Sequence, residues 1–308
     1  MLGTAFLLVL TAVVVPLATF VYGEPLNYTQ DYIMHELIYI VGGVIAYCFI
    51  VGEISGNTSQ TDKLWSIVPI GYAWYATWMS GMPDKMVLMS VLVTLWGVRL
   101  TYNFGRRGGY SWKFWDGEED YRWDILRQKP GFNNRFVWML FNLFFIAGYQ
   151  QVLIFLFTVP ILALSGEPSA ETITLIDWGL AILMTGAIVL EFIADQQQYD
   201  FQTEKYRRIN AGEDLGEYSH GFVRTGLWGI MRHPNYAMEQ LVWIIFYLFT
   251  IETTGQWLHW SITGVLLLVI LFKSSSDFSE GITAEKYPEY KEYQRTVPRF
   301  VPWTKFGK

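Results

Sequence analysis

Long apolar segments alternate with short polar ones along most of the chain. A helix needs about 17–25 mainly apolar residues to cross the hydrocarbon core of a bilayer, and most of these segments have about that length. The pattern therefore predicts an all-α, polytopic membrane bundle with about eight spanning helices. The predicted spans are Thr4–Tyr22, Ile33–Val51, Leu64–Ser80, Met86–Phe104, Phe136–Leu164, Ile173–Ala194, Asn235–Ile251 and Trp257–Phe272. Phe136–Leu164 is the longest, so we expect it to tilt or to break near Pro160.

The composition supports the same class of protein. Of the 308 residues, 52% are hydrophobic and 16% are charged, which excludes an ordinary soluble domain. The formal net charge of −6 argues against a nucleic-acid partner. Cys48 is the only cysteine, so no intrachain disulfide is possible, and the histidines lack the spacing of a helical metal site. We therefore expect no metal, and no obligate protein partner is evident.

The chain shows no internal division. It has no repeat, low-complexity tract or linker, so residues 1–308 are predicted to form a single membrane domain. The first apolar segment has no basic residue ahead of it and no clear cleavage site. We therefore interpret residues 1–24 as an extra N-terminal helix and not as a signal peptide.

Basic residues indicate an orientation in the membrane. Lysine and arginine are concentrated in three polar regions: 105–135, 195–232 and 273–308. The connections that alternate with them hold almost none: 24–31, 82–85, 167–171 and 252–256. Because basic loops stay in the cytoplasm, the pattern predicts an even number of spans with both termini cytoplasmic. We expect an integral protein of a bacterial inner membrane or, in a eukaryote, of the endoplasmic reticulum.

The stretch Gly226–Glu239 leads without a break into an apolar segment. Pro234 lacks a backbone N–H and disfavours helix at the residue before it, so a helix is predicted to start at Pro234, where the chain enters the membrane. The free N–H groups of its first turn, beside Arg232 and His233, suit an anion such as a phosphate. An interfacial charge anchor is the alternative interpretation.

Asn235 and Glu239 are four residues apart and therefore share one face of this helix. Glu239 lies a turn inside the apolar span, and an ionisable group at that depth indicates a functional site. The whole string, Gly-Leu-Trp-x-x-x-Arg-His-Pro-Asn-Tyr-x-x-Glu, resembles the signature of the steroid 5α-reductase C-terminal family, including its uncharacterised bacterial branch (DUF1295-like). It is more distantly similar to the sterol C14-reductases. The resemblance covers residues 62–302.

The shorter Arg-His-Pro-x-Tyr core also resembles isoprenylcysteine carboxyl methyltransferases and related phospholipid methyltransferases. Asn235 and Glu239 are therefore the residues that distinguish the reductase-like string from the core that the methyltransferases share. Two rival functions stay open. One is an S-adenosylmethionine-dependent methyltransferase of isoprenylcysteine or phospholipid type, and the other is a non-catalytic sterol-binding membrane protein.

The reductase resemblance implies a membrane-embedded, NADPH-dependent enzyme that reduces a carbon–carbon double bond conjugated to a carbonyl in a steroid or another lipid from the bilayer. It implies catalytic roles for Glu239, Tyr236 and Asp62. The residues that it assigns to NADPH are Arg106, Arg107, Tyr121, Arg122, Asp195, Arg224, Arg232, His233, Asn235 and Tyr290. We expect this cofactor site to face the cytoplasm, with Asn235 bonding the amide or ribose of the cofactor and Glu239 fixing its orientation.

Several of these assignments have an alternative. Arg106 and Arg107 suit the 2′-phosphate of NADPH, because arginine binds phosphate in a bidentate way, but they are also typical of a solvated cytoplasmic loop. Asp62 is also an ordinary residue for a helix N-terminus. Glu191 stands where the steroid reductases carry asparagine. Trp96 stands near the position where they carry the tyrosine that polarises the ketone.

Overall fold

Helices form the regular secondary structure of residues 13–23 and 25–302, the part of the chain that the computed structural model describes. In chain order they are α1 Val15–Tyr22, α2 Tyr28–Ser55, α3 Gln60–Leu64, α4 Val68–Met79, α5 Asp84–Gly105, α6 Tyr121–Arg127, α7 Arg135–Leu164, α8 Leu175–Ala211, α9 Leu227–Ile230, α10 Pro234–Thr254, α11 Ile262–Lys286 and α12 Tyr290–Thr296. Two short 3-10 turns, Pro168–Glu171 and Gly216–His220, also occur. The prediction of an all-α fold is confirmed for these residues.

Five helices of the described residues are long and apolar enough to cross a membrane, namely α2, α5, α7, α8 and α11. These helices support the predicted membrane class. Residues 4–12 of the predicted first span lie outside the described part of the chain. α10 starts at Pro234 as predicted, but Glu239 and Gln240 lower the hydropathy of its apolar stretch. The count of eight spans and the orientation of the termini stay predictions.

The predicted span Leu64–Ser80 is a shorter helix in the structure. α4 starts at Val68 because Pro69, which lacks a backbone N–H, occupies its first turn. Its 12 residues rise by about 1.5 Å each, which is too little to cross a hydrocarbon core of roughly 30 Å.

α7 changes geometry along its length. It starts as an α-helix, Arg135–Phe141, widens into a π-helix at Asn142–Tyr149 and returns to α-helix at Gln150–Thr158. It ends as a 3-10 helix at Val159–Leu164, because Pro160 cannot donate the next α-helical hydrogen bond. The α-helical geometry of α7 therefore ends next to Pro160, while α7 itself continues as one helix to Leu164, so its tilt or break stays a prediction. In the 18-residue apolar stretch of α7, 83% of the residues are buried, so α7 contributes much of the core around it.

The described residues fall into two compact units. The first unit holds the chain up to Ile182 together with Ile245–Leu267. The second holds Leu183–Ile244 together with the chain from Leu268 onwards. Helices α8, α10 and α11 each continue from one unit into the other. The single membrane domain stays a prediction.

Two glycines allow close helix packing in the first unit. A Cβ atom on Gly97 of α5 would lie 2.5 Å from the Ser66 carbonyl oxygen and 2.6 Å from Cδ1 of Ile70. A Cβ atom on Gly264 of α11 would lie 2.0 Å from the backbone carbon of Leu156 in α7. Larger residues do not fit at these positions, as is common where membrane helices meet.

Candidate functional site

Backbone hydrogen bonds within the second unit hold the residues that precede α10. The N–H of Arg232 donates to the Pro298 carbonyl at 2.8 Å, and the N–H of His233 donates to the Arg299 carbonyl at 3.1 Å. α10 then starts at Pro234. These backbone hydrogen bonds therefore fix the positions from which the side chains of Arg232 and His233 extend.

Both of these side chains contact the carboxylate of Glu280 in α11, which is 2% exposed. Arg232 donates from Nε at 2.8 Å and from Nη2 at 3.3 Å, and Nε2 of His233 lies 2.8 Å from Oε1. Gln294 Nε2 and Arg299 Nη2 add hydrogen bonds at 2.8 and 3.3 Å. We call these five residues the Glu280 cluster. The sequence analysis missed Glu280, because this residue lies in the polar second half of α11 among other charged side chains, where no local signal distinguishes it.

Further hydrogen bonds join the parts of the Gly226–Glu239 motif within the second unit. Nη1 of Arg232 donates to the Gln294 carbonyl at 3.0 Å. Nε1 of Trp228 donates to the Ala194 carbonyl at 3.0 Å, and the Tyr293 hydroxyl donates to the Trp228 carbonyl. Hydrogen bonds thus connect both the Gly-Leu-Trp part and the Arg-His-Pro part of the motif to the segment that contains Tyr293 and Gln294. The cofactor roles of Arg232 and His233 stay predictions.

Asn235 and Asp195, which were predicted from two separate motifs, are in contact. Nδ2 of Asn235 donates to Oδ1 of Asp195 at 3.1 Å, and Oδ1 of Asn235 accepts the N–H of Tyr236 at 3.0 Å. Asp195 is 3% exposed. Glu239 is equally buried and accepts a hydrogen bond from Nε1 of Trp243 at 3.1 Å. That Asn235 and Glu239 act as one unit stays a prediction.

Two predicted tyrosines lie in aromatic surroundings of the second unit. The Tyr236 ring stacks on His233 with a centroid distance of 5.3 Å and contacts Phe272 at 4.8 Å. Tyr290 is buried, and this burial raises the pKa of its phenol above the ordinary value. The negative charge of Glu280 raises that pKa further. Tyr290 is therefore a neutral group at physiological pH.

Arg224 lies on the surface of the second unit. Its guanidinium contacts the ring of His220, and His220 in turn contacts the carboxylate of Glu289. Arg224 is exposed, so it is accessible to a solute as well as to these neighbours.

In the first unit, Asp62 contacts Trp123, the residue that follows Arg122 in the chain. Oδ2 of Asp62 accepts a hydrogen bond from Nε1 of Trp123 at 3.3 Å. Arg122 forms a bidentate pair with Asp120, at 2.9 Å from Nε and 2.6 Å from Nη2. Burial raises the pKa of Asp62, and the charge of Asp120 raises it further, whereas Arg122 lowers it. Asp120 was assigned no role from the sequence, although its side chain caps the N-terminus of α6 by a local hydrogen bond from the N–H of Arg122.

The loop between α5 and α6 folds against the residues that follow α2. Nζ of Lys63 donates to the Asp116 carbonyl at 2.6 Å. The N–H and the hydroxyl of Thr58 both donate to Oε1 of Glu119 at 2.6 Å, and Nη1 of Arg127 lies 2.6 Å from the other oxygen of Glu119. The sequence predicted a solvated loop here. Hydrogen bonds instead hold part of this loop in place in the first unit.

The remaining predicted residues of this loop are more accessible. Nη2 of Arg106 donates to Oδ1 of Asn103 at 2.7 Å. Arg107 is exposed and makes no side-chain hydrogen bond within the described residues. Tyr121 is 57% exposed. The proposed contacts of these residues with NADPH stay predictions.

A second buried ionic cluster lies in the first unit. Nζ of Lys85, at the start of α5, lies 3.1 Å from Oδ2 of Asp177 and also contacts the carboxylate of Glu252. The hydroxyl of Thr174 lies 2.9 Å from each carboxylate. We call Lys85, Asp177, Glu252 and Thr174 the Lys85 cluster. The three ionisable groups come from helices far apart in sequence, so the pattern along the chain did not reveal them.

Comparisons with known proteins connect the chain to a family. A family described as a protein of unknown function, DUF1295, matches residues 48–297. An uncharacterized protein of Schizosaccharomyces pombe is 35% identical over 293 residues, which covers 88% of this chain and 82% of that protein. No solved structure matches the chain.

Proposed function

The chain belongs to the DUF1295 family, and on this basis we propose that it is a membrane-embedded, NADPH-dependent reductase. Its substrate is a carbon–carbon double bond conjugated to a carbonyl, in a steroid or another lipid that enters from the bilayer. The five long apolar helices support an enzyme that takes its substrate from the hydrocarbon phase.

The contact between Asn235 and Asp195 carries the proposal. Asn235 distinguishes the reductase-like string from the Arg-His-Pro-x-Tyr core that the methyltransferases share. A carboxylate accepts hydrogen bonds from ribose hydroxyls, and a primary amide both donates and accepts, as the carboxamide of nicotinamide requires. Asp195 and Asn235 therefore present, side by side, the donors and acceptors that fit a nicotinamide nucleotide.

NADPH, when bound, supplies a hydride to the carbon β to the carbonyl. The protein then has two tasks, which are to hold the oxygen as negative charge develops on it and to deliver a proton to the α-carbon. Tyr236 and Glu239 are three residues apart in α10 and so lie on neighbouring positions of one helix surface. We assign the hydrogen bond to the oxygen to the Tyr236 phenol, and the proton for the α-carbon comes from water. Glu239, held by Trp243, positions the reacting groups.

The alternative function is a methyltransferase that uses S-adenosylmethionine. The Glu280 cluster favours neither candidate, because Arg232 and His233 belong to the core that both families share. A non-catalytic sterol-binding protein is the second alternative. Ligand identity separates the three functions more directly than activity does, because the lipid substrate need not be known.

The first experiment identifies the nucleotide. The full chain is purified in detergent, the small molecules released by denaturation are analysed by mass spectrometry, and NADPH and S-adenosylmethionine are each titrated. We expect NADP(H) and saturable NADPH binding. S-adenosylhomocysteine with saturable S-adenosylmethionine binding would favour the methyltransferase instead. Binding of a sterol alone would favour the non-catalytic function.

We also propose eight spans with both termini in the cytoplasm, and a cofactor site on that side. Two exposed residues of the first unit test this orientation, Lys113 and Glu171. In a variant without Cys48, each is replaced by cysteine and labelled with a membrane-impermeant reagent. We expect labelling of Lys113→Cys in inverted membranes alone and of Glu171→Cys in intact cells. Labelling of both from the same side would contradict the proposed topology.

A further inference from the structure

A polar cavity of about 330 Å³ opens in the first unit, next to the start of α2 and the end of α10. Its lining includes Asn27, Glu167, Thr253, Gln256, His259 and Trp260. No arginine or lysine of the described residues lines it. The volume lies at the lower end of the range of small-molecule sites, roughly 300–1,000 Å³.

The walls of this cavity are held by hydrogen bonds of the protein itself. Nδ2 of Asn27 donates to the Ser165 carbonyl at 2.8 Å. The Ser169 hydroxyl donates to the carbonyl of Thr253 at 2.9 Å, which ties the end of α10 to the turn after α7. Because these residues are already ordered, a ligand loses little binding free energy in arranging them.

The hydroxyl group of Thr253 is evidence for a polar ligand. This residue is 8% exposed, and its hydroxyl is buried without a hydrogen-bond partner in the described part of the protein. Buried hydroxyl groups almost always find a partner, because leaving one unpaired is unfavourable. The unpaired hydroxyl and the polar cavity are two separate observations at one place.

The charges around the cavity select the kind of ligand. Glu167 lines it and makes no ion pair within the described residues. Glu252, the neighbour of Thr253 in the chain, belongs to the Lys85 cluster, in which two carboxylates share one ammonium group. Negative charge thus exceeds positive charge on this side of the first unit, so the cavity suits a cation better than an anion.

We propose that the cavity binds an organic ammonium group, carried by a free amine or by the head group of a lipid. Glu167 supplies the opposite charge, and the Thr253 hydroxyl and the Gln256 side-chain carbonyl accept hydrogen bonds from the ammonium group. Trp260 forms an aromatic part of the wall, of the kind that favours cations. The site is separate from the residues assigned to NADPH and does not depend on the reductase proposal.

The test uses ethanolamine as the probe and the full chain in detergent. Radiolabelled ethanolamine is titrated into the wild type, Glu167→Gln, Thr253→Val and the control Glu171→Gln, which changes an exposed carboxylate four residues away. We expect saturable binding that Glu167→Gln weakens about tenfold and Thr253→Val about threefold, while Glu171→Gln has no effect. Equal thermal unfolding midpoints show that the variants are folded.

Two further arms complete the test. Glycerol, which is neutral, serves as a competitor, and a second series uses nanodiscs with or without phosphatidylethanolamine. If phosphatidylethanolamine discs alone block ethanolamine, the ligand is a lipid head group, and if both kinds of disc leave binding intact, it is a free amine. Absence of saturable binding, equal affinity in Glu167→Gln, or competition by glycerol at the same concentration as ethanolamine would overturn the proposal and leave a hydrated polar pocket.

Discussion

The two units pair their buried charges in opposite ways. In the second unit, donors from four residues converge on the carboxylate of Glu280. In the first unit, the carboxylates of Asp177 and Glu252 share the ammonium group of Lys85. Oδ1 of Asp177 is buried and has no hydrogen-bond partner in the described residues. The Glu280 cluster thus gathers several donors on one carboxylate, whereas the Lys85 cluster holds two carboxylates for one ammonium group.

This difference indicates what each region suits. A buried polar group that stays unpaired is unfavourable, so a surplus of one kind favours a ligand of the other kind. The donors around Glu280 are paired with its carboxylate and favour neither candidate function, whereas the unpaired Oδ1 of Asp177 agrees with a cation in the first unit. The balance of charges in each cluster also determines which substitutions it tolerates. These substitutions have the largest predicted effects.

The strongest test of the comparison is Glu280→Ala. Because Glu280 is 2% exposed and removing one partner leaves buried charge without compensation, we expect a loss of about 3–5 kcal/mol of stability. The measurement is the thermal unfolding midpoint in detergent. Glu285→Ala, which removes an exposed carboxylate from the same helix, is the control and should change stability by less than about 0.5 kcal/mol. Equal midpoints for the two variants would show that the Glu280 cluster does not stabilise the second unit.

The Lys85 cluster should respond unequally to the loss of its members. Asp177→Asn keeps an oxygen that accepts from Thr174 and leaves one carboxylate for one ammonium group, so we expect a cost of about 1 kcal/mol or less. Lys85→Met leaves the buried carboxylate of Asp177 and the half-buried carboxylate of Glu252 without their cation and should cost about 3 kcal/mol or more. The difference between the two unfolding midpoints is the measurement. Equal losses would show that the cluster has no surplus of acceptors.

Arg106 and Arg107 test whether donors of the first unit also bind an anion. If they bind the 2′-phosphate, Arg106→Ala or Arg107→Ala should weaken NADPH binding by about tenfold to a hundredfold, since a hydrogen bond to a charged group contributes roughly 1.5–3 kcal/mol. NADH binding should hardly change. Arg135→Ala, an exposed arginine of the same unit, is the control. A loss that is equal for both nucleotides, or that disappears at high salt, would mean that the pair is only a topology signal.

The smallest expected effect concerns Glu119. Burial alone would raise its pKa, but hydrogen bonds from Arg127 and Thr58 outweigh burial and hold the pKa below the ordinary value. A carboxyl group with a lowered folded pKa stabilises the protein above its unfolded pKa of about 4.3, and this stability is lost as the pH falls through the folded pKa. We expect about 1 kcal/mol or less.

The measurement for Glu119 is the unfolding midpoint of wild type and Glu119→Gln between pH 7 and pH 3. The gap between them should be constant above about pH 5 and should close as the pH falls below about 4. Glu118→Gln, which changes the exposed neighbour, should follow the wild type at every pH. A gap that grows as the pH falls would contradict the assignment.

The sequence predicted those features that local rules determine. The start of α10 at Pro234 follows from the missing proline donor, and the membrane class follows from segment length. The partners of buried charges were not predictable in this way. His233 and Glu280 are 47 positions apart, and Lys85 and Glu252 are 167 apart, so their pairing depends on helix packing and leaves no periodic pattern.

The candidate site falls between these cases. Asn235 and Asp195 were each identified from a resemblance, but their contact across 40 positions became visible only in the structure. The predicted pairing of Asn235 with Glu239 used helical spacing alone. Spacing places two side chains on one face, but it does not determine which neighbour on another helix competes for the same hydrogen bond.

The affinity for NADPH of Asn235→Ala, Asp195→Asn and the double variant tests the central claim most directly. Each single change should weaken NADPH binding by about tenfold or more, and the double change should cost less than the sum because the two residues share a hydrogen bond. Asp200→Asn, an exposed change in the same helix, should bind NADPH like the wild type. Unchanged NADPH affinity in both single variants, or wild-type protein that binds S-adenosylmethionine and no NADPH, would contradict the account.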